Sequence, residues 1–166
     1  MKTNVLSVLV ENRAGTLSRV AGLFSRRGFN IDSLTVGETE DKDISRMTIA
    51  VSGDDSVLEQ IVKQLGKLVD VISIRKLDDD ACIKREILLV KIKSDEKTRS
   101  AIVQVAAIFR SRVIDISSST ITIEATGGFD KLNGLLQMLR PYGILELART
   151  GLVALERGAR VLSKDE

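Results

Sequence analysis

"NVLSVLVENRAGTLSRVAGLFSRRGFNIDSLTVGETEDKDISRMTIAVS", residues 4–52, changes hydrophobic period twice, and those changes define a fold. Residues 4–11 are a short Val-rich apolar run, the mark of a strand. From Thr16 the spacing lengthens: Leu17, Val20, Ala21 and Phe24 recur at i, i+3, i+4 and i+7, one face of a helix. Gly28 stops that helix. Residues 33–38 then alternate through Leu34 and Val36, and residues 45–52 through Met47, Ile49 and Val51, giving two further strands. Beyond this stretch Asp54 and Asp55 open a second helix bearing Leu58, Ile61, Val62 and Leu65. Residues 68–76, "LVDVISIRK", supply a closing strand. The order is β-α-β-β-α-β within about 75 residues.

The order then repeats. Residues 85–93 read as a strand, Ile102, Val105, Ala106 and Phe109 as a helix, and 112–119 and 120–126 as two strands. Leu132, Leu135, Leu136 and Leu139 mark a helix broken by Pro141, and 143–149 close the series. The predicted class is α+β: two ferredoxin-like domains, each an antiparallel sheet with helices on one face. The expected boundaries are 1–77 and 85–166, joined by a solvated linker over 78–84 that carries Asp78, Asp79 and Asp80. Layers this small leave a sheet edge or face uncovered, so association is expected, as a symmetric homodimer.

Composition excludes several functions. Only 3% of residues are aromatic, and the candidate central strands, 4–11 and 45–52, carry none, so there is no stacking platform for RNA. Net charge is +2, and division after Leu77 leaves each half near neutral, so no nucleic-acid partner is expected. There is no histidine, hence no imidazole base for a nucleophile and no imidazole metal ligand. The single cysteine, Cys82, cannot form an intramolecular disulfide and suits a reducing compartment. Gly22 and Gly28 are not followed by the lysine of a phosphate-binding loop, and no G-x-G-x-x-G occurs. Without a secretory apolar region or a long apolar run, the expected location is cytoplasmic, with no membrane partner. No catalytic residue or metal ligand emerges, and the expected role is non-catalytic.

What remains is the turn before the first helix. Gly15 permits a tight turn, and the helix start at Thr16 presents unpaired N–H groups with positive partial charge, a carboxylate site that needs no basic side chain. Asn12 and Asn30 carry both donors and acceptors. The same residues also read as ordinary turn formers.

The segment "VLVENRAGTLSRVAGLFSRRGFNIDSLTVGETEDKDISRMTIAV" resembles the N-terminal ACT domain of the acetohydroxyacid synthase (acetolactate synthase) small, regulatory subunit. Further matching strings are "LEQIVKQLGKLVDVISI", "REILLVKIK", "IFRSRVIDIS" and "ARTGLVALERG", so the resemblance spans nearly the whole chain. It implies a regulator that binds the catalytic large subunit, raises its activity and imposes feedback inhibition by a branched-chain amino acid, valine foremost. Thiamine diphosphate, magnesium and FAD are then expected only on that catalytic partner. The family's effector site lies between two ACT domains. Its matching positions here are Asn12, Ala14 and Gly15 in the turn, and Asn30 and Ile31 entering the second strand. Thr16 begins the helix, while Ile31 and Leu34 offer an apolar surface for an aliphatic side chain. An aspartate at Gly15 is expected to repel the effector carboxylate and spare the fold, provided Gly15 does not need positive φ. The rival reading is a free-standing double ACT sensor that controls another enzyme or a transcription factor.

Overall fold

The computed structural model describes residues 3–164. The first half runs β1 (Thr3–Glu11), α1 (Thr16–Arg27), β2 (Ser33–Glu38), β3 (Ile44–Ser52), α2 (Asp55–Leu65) and β4 (Val71–Leu77). The second runs β5 (Cys82–Lys93), α3 (Arg99–Ile108), β6 (Arg112–Ile116), β7 (Thr120–Gly127), α4 (Phe129–Leu139) and β8 (Ile144–Arg149), and a short β9 (Val153–Glu156) follows. The strand orders are β2-β3-β1-β4 and β6-β7-β5-β8, antiparallel at every step. Both halves are ferredoxin-like, as the repeated pattern predicts.

Local chemistry explains the boundaries. Gly28 adopts φ 69, and the amides of Gly28 and Phe29 return to the carbonyls of Ser25 and Phe24, the paired bonds of a left-handed helix stop. Asp54 caps α2 by accepting the Val57 amide at 2.9 Å, and that bond holds its carboxyl below the usual range. The buried face of α1 is Thr16, Val20, Leu23 and Phe24, so Leu17, expected inside, is exposed. β4 begins at Val71, later than the predicted residue 68, because the amides of Lys67 and Leu68 turn back onto the end of α2. β6 ends at Ile116 because the Ser117 hydroxyl accepts the amides of Ser119 and Thr120 and forces a turn.

The domain boundaries also differ from expectation. One compact unit comprises the residues up to Ile83 together with those from Leu152 onward, and Lys84–Gly151 form the other. The span 78–84 is a single 3-10 turn, Asp79–Ala81, that runs directly into β5. The reason for the regrouping lies in β1, where every residue from Asn4 to Val10 is buried. Leu6, Val8 and Val10 pack with Phe24, Met47, Ile49 and Ile61 beneath the helices. On the opposite face Val5 clusters with Leu77, Cys82 and Ala154, with Leu152 against them. β9 lies on β1 and β4, and the segment 156–164 is pinned by Arg75 to Glu156 and by Lys164 to Asp41 at 2.6 Å.

A chain ending at Ile83 should therefore unfold more easily than one in which a short Gly/Ser linker replaces residues 84–151 and keeps the tail. Each aliphatic side chain uncovered costs about 1.5–3 kcal/mol. Thermal melts of the two chains check this, and equal melting temperatures would show that the tail contributes nothing.

Candidate functional site

β1 delivers the chain into the turn with its amides already committed. The Glu11 amide donates to the Asp70 carbonyl and the Asn12 amide to the Asp43 carbonyl, each at 2.8 Å. The Asn12 side-chain amide bridges the Lys42 carbonyl at 2.8 Å and Glu38 Oε1 at 3.3 Å, tying the turn to the far end of β2. Ala14 is exposed. Gly15 is the N-cap residue of α1 with φ 87 and ψ −13, a left-handed conformation that favours glycine. No side chain caps this helix end and no acidic residue stands in its first turn, so α1 itself carries no carboxylate against its positive end.

A basic side chain also stands beside this helix end. Arg19, one turn on from Gly15, clamps buried Asp70 through Nε and through Nη2 at 2.9 Å. The guanidinium holds the Asp70 carboxyl below its usual range. A Cβ added at Gly15 would stand 2.8 Å from Arg19 Nη1. The Thr16 hydroxyl is enclosed beside Asp70, close enough to help lower its pKa yet with no partner in hydrogen-bonding geometry. Arg19 could have been found from its spacing to Gly15. Its partner lies 51 residues away in sequence, beyond any local pattern.

Asn30 stands elsewhere. Its side-chain amide donates to Asp32 Oδ1 at 2.9 Å, the Ser52 hydroxyl donates to Asp32 Oδ2, and the Asp32 amide donates to the Ala50 carbonyl. Ser33 pairs with Ala50 at one end of β3, whereas Glu11 pairs with Ile44 at the other. Six residues of strand separate these ends, about 20 Å at 3.4 Å per residue. Ile31 and Leu34 are half-buried and pack against their own core beneath the helices, which leaves only part of each for a ligand. The predicted residues thus form two groups, Asn12, Ala14, Gly15 and Thr16 at one end of the sheet and Asn30, Ile31 and Leu34 toward the other. Among the described residues no group of three or more Cys, Asp or Glu is placed to hold a metal ion, and no helix is long and apolar enough to cross a membrane.

Residues 6–73 match the family model of the "AHAS small subunit-like ACT domain", and residues 85–158 match that of the "Small subunit of acetolactate synthase". The fold is therefore that of an ACT-domain regulatory protein. The chain is 54% identical to the acetolactate synthase small subunit of Mycobacterium bovis over 159 residues, covering 96% of this chain and 95% of that one. A probable acetolactate synthase small subunit of Methanothermobacter thermautotrophicus is 52% identical over 161 residues, 96% of each chain. The crystal structure of the acetolactate synthase small subunit from Thermotoga maritima superposes with a TM-score of 0.89 at 41% identity, over 96% of this chain and all of that one. The chain belongs to the acetolactate synthase small-subunit family.

Two outcomes follow from the turn. Gly15→Ala should destabilise the chain by about 1–2 kcal/mol through the left-handed backbone alone, and Gly15→Asp by at least as much, since its side chain also meets Arg19. A Gly15→Asp melting temperature equal to wild type would contradict this, and the positive φ corrects the expectation that the fold is spared. The second concerns acid. Asp70 has a lower pKa folded than unfolded, so its contribution is fully present above the ordinary carboxylate range and is lost as pH falls through its folded value. Asp70→Asn should lower the melting temperature at neutral pH and flatten the acid limb of the stability curve. An acid limb as steep as wild type would place the titration elsewhere.

Proposed function

We infer that this chain is the non-catalytic regulatory partner of an acetolactate synthase large subunit, raising its activity and conferring feedback inhibition by a branched-chain amino acid, valine first. The effector lies between two copies of the N-terminal unit. The observation that carries this reading is the separation of Asn12 from Asn30. A branched-chain amino acid spans a fraction of the roughly 20 Å between the two ends of β3, so it cannot touch both asparagines of one chain.

Two copies resolve the difficulty. β2 is an edge strand, and antiparallel pairing of β2 with its own copy sets residues 30–33 of one chain beside Glu38 of the other. Glu38 is the residue that Asn12 already touches. A two-fold axis at the β2 edge thus brings Asn30 and Ile31 of one copy to the Asn12–Ala14–Gly15–Thr16 turn of the second, twice per dimer. The α-carboxylate sits against the start of α1, Asn30 from the second copy helps hold the ammonium, and the uncovered parts of Ile31 and Leu34 receive the side chain. Arg19 adds charge of the sign a carboxylate seeks, tempered by Asp70. Occupancy then alters the packing of the dimer, and through it the engagement of the large subunit. Thiamine diphosphate, magnesium and FAD belong to that partner.

The test is acetolactate formation by the large subunit with and without this chain, titrated with valine. Asn12→Ala and Asn30→Ala should each weaken inhibition by about 5- to 150-fold, the range of one to two lost hydrogen bonds. Dimers mixed from the two variants should recover one wild-type site and part of the sensitivity. No recovery, with mixed dimers demonstrated, would place the site within a single chain. Absence of any activation would remove the regulatory reading itself.

A further inference from the structure

On the face of the first sheet opposite its helices, the tail that follows β9 encloses an open-sided cavity of about 220 Å³. Its lining includes Ser7, Arg46, Leu77, Glu156 at the end of β9 and, from the tail, Arg160 and Leu162. Ser7 and Leu77 are buried and Arg46 is half-buried. Arg46 donates from Nη1 to the Ser7 hydroxyl at 2.6 Å. Burial weakens its charged form, and the nearby charge of Arg75 adds to that, against the attraction of Glu40. The carboxylate in the lining is Glu156, and Arg75 already claims it. Arg160 stands 3.9 Å from the same carboxylate, beyond hydrogen-bonding distance. Two guanidinium groups therefore line a partly apolar cavity whose own carboxylate is engaged.

We propose that this cavity binds a small aliphatic monocarboxylate that lacks an amine, its carboxylate held by Arg46 with Arg160 nearby and its chain lying on Leu77 and Leu162. The volume suits such a molecule: at about 30 Å³ per water it holds roughly seven waters, or a short branched acid in their place. Charge sets the class. A carboxylate meets half-buried Arg46 in a setting drier than bulk water, where charge-assisted bonds are stronger, while the exposed Arg160 adds positive charge at the opening. An ammonium would face Arg46 and Arg160 with Glu156 already paired, so amino acids are selected against. The site is distinct from the effector turn, which receives a zwitterion and needs a second copy; this cavity is built within one chain.

The probe is 3-methylbutanoate, titrated calorimetrically into the full chain, with 3-methylbutan-1-amine and inorganic phosphate as controls. The acid should bind saturably and the amine should not, while phosphate should bind more weakly because it has no apolar part. Arg46→Gln, which keeps a donor for Ser7 but removes the charge, should weaken the acid by about tenfold or more. Leu162→Trp, which fills the cavity while leaving the charge of Arg46 in place, should abolish binding, and circular dichroism checks that both variants remain folded. The double variant Asn12→Ala/Asn30→Ala should bind the acid as wild type does, whether or not it retains a response to valine. Failure of the acid to bind, equal binding by amine or phosphate, unchanged affinity in folded Arg46→Gln, or loss of binding in the asparagine double variant would each overturn the proposal.

Discussion

β1 has no face to give to solvent, and most of the first unit follows from that. Seven consecutive residues, Asn4 to Val10, are buried, so cover is required on both sides of the sheet. The two helices supply one side. The other is supplied by the final segment of the chain, with Ala154 and Leu152 on Val5, Leu77 and Cys82. An apolar surface left open would cost about 25 cal/mol per Å², which is reason enough for the tail to rejoin the first unit. The exposed pair Lys164–Asp41 gives that return register more than energy, since exposed ion pairs contribute little, whereas Arg75–Glu156 is largely shielded from water.

The same antiparallel ladder acts as a ruler for the effector turn. With β1 and β2 flanking β3 and running parallel to each other, the end of β1 and the start of β2 must lie at opposite ends of the sheet. An Asn-containing turn at one end and an Asn-containing strand entry at the other are thus complementary halves that one chain cannot close. On the proposed reading, ligand binding is coupled to how the two copies pack, which is how a small molecule reaches the partner enzyme through this chain. The turn is rigid for a local reason as well. Gly15 holds a left-handed conformation, and Arg19 and Asp70 lock the first helical turn to the segment that leads into β4.

Much was legible in the sequence because the relevant physics is short-ranged. The change from strand to helix spacing at Thr16, the stop at Gly28, the cap at Asp54 and the alternation through Met47, Ile49 and Val51 are set by neighbours within a few residues, and each appears in the structure as read. The glycine turn was legible as a turn. Leu17 was misplaced because adjacent helical faces differ by one residue step, and the sequence alone does not say which of two overlapping stripes meets the sheet.

Only the tertiary structure could assign residues 152–164 to the first unit, identify Arg19 as the partner of Asp70, and set Asn12 and Asn30 at opposite ends of β3. Each of these rests on contacts between segments tens of residues apart, chosen by which apolar face is uncovered and which charge is buried. Hydrophobic period and capping chemistry determine the elements and their order, because they act along the chain. Which element covers which face is a competition among surfaces that exist only once the sheets have formed.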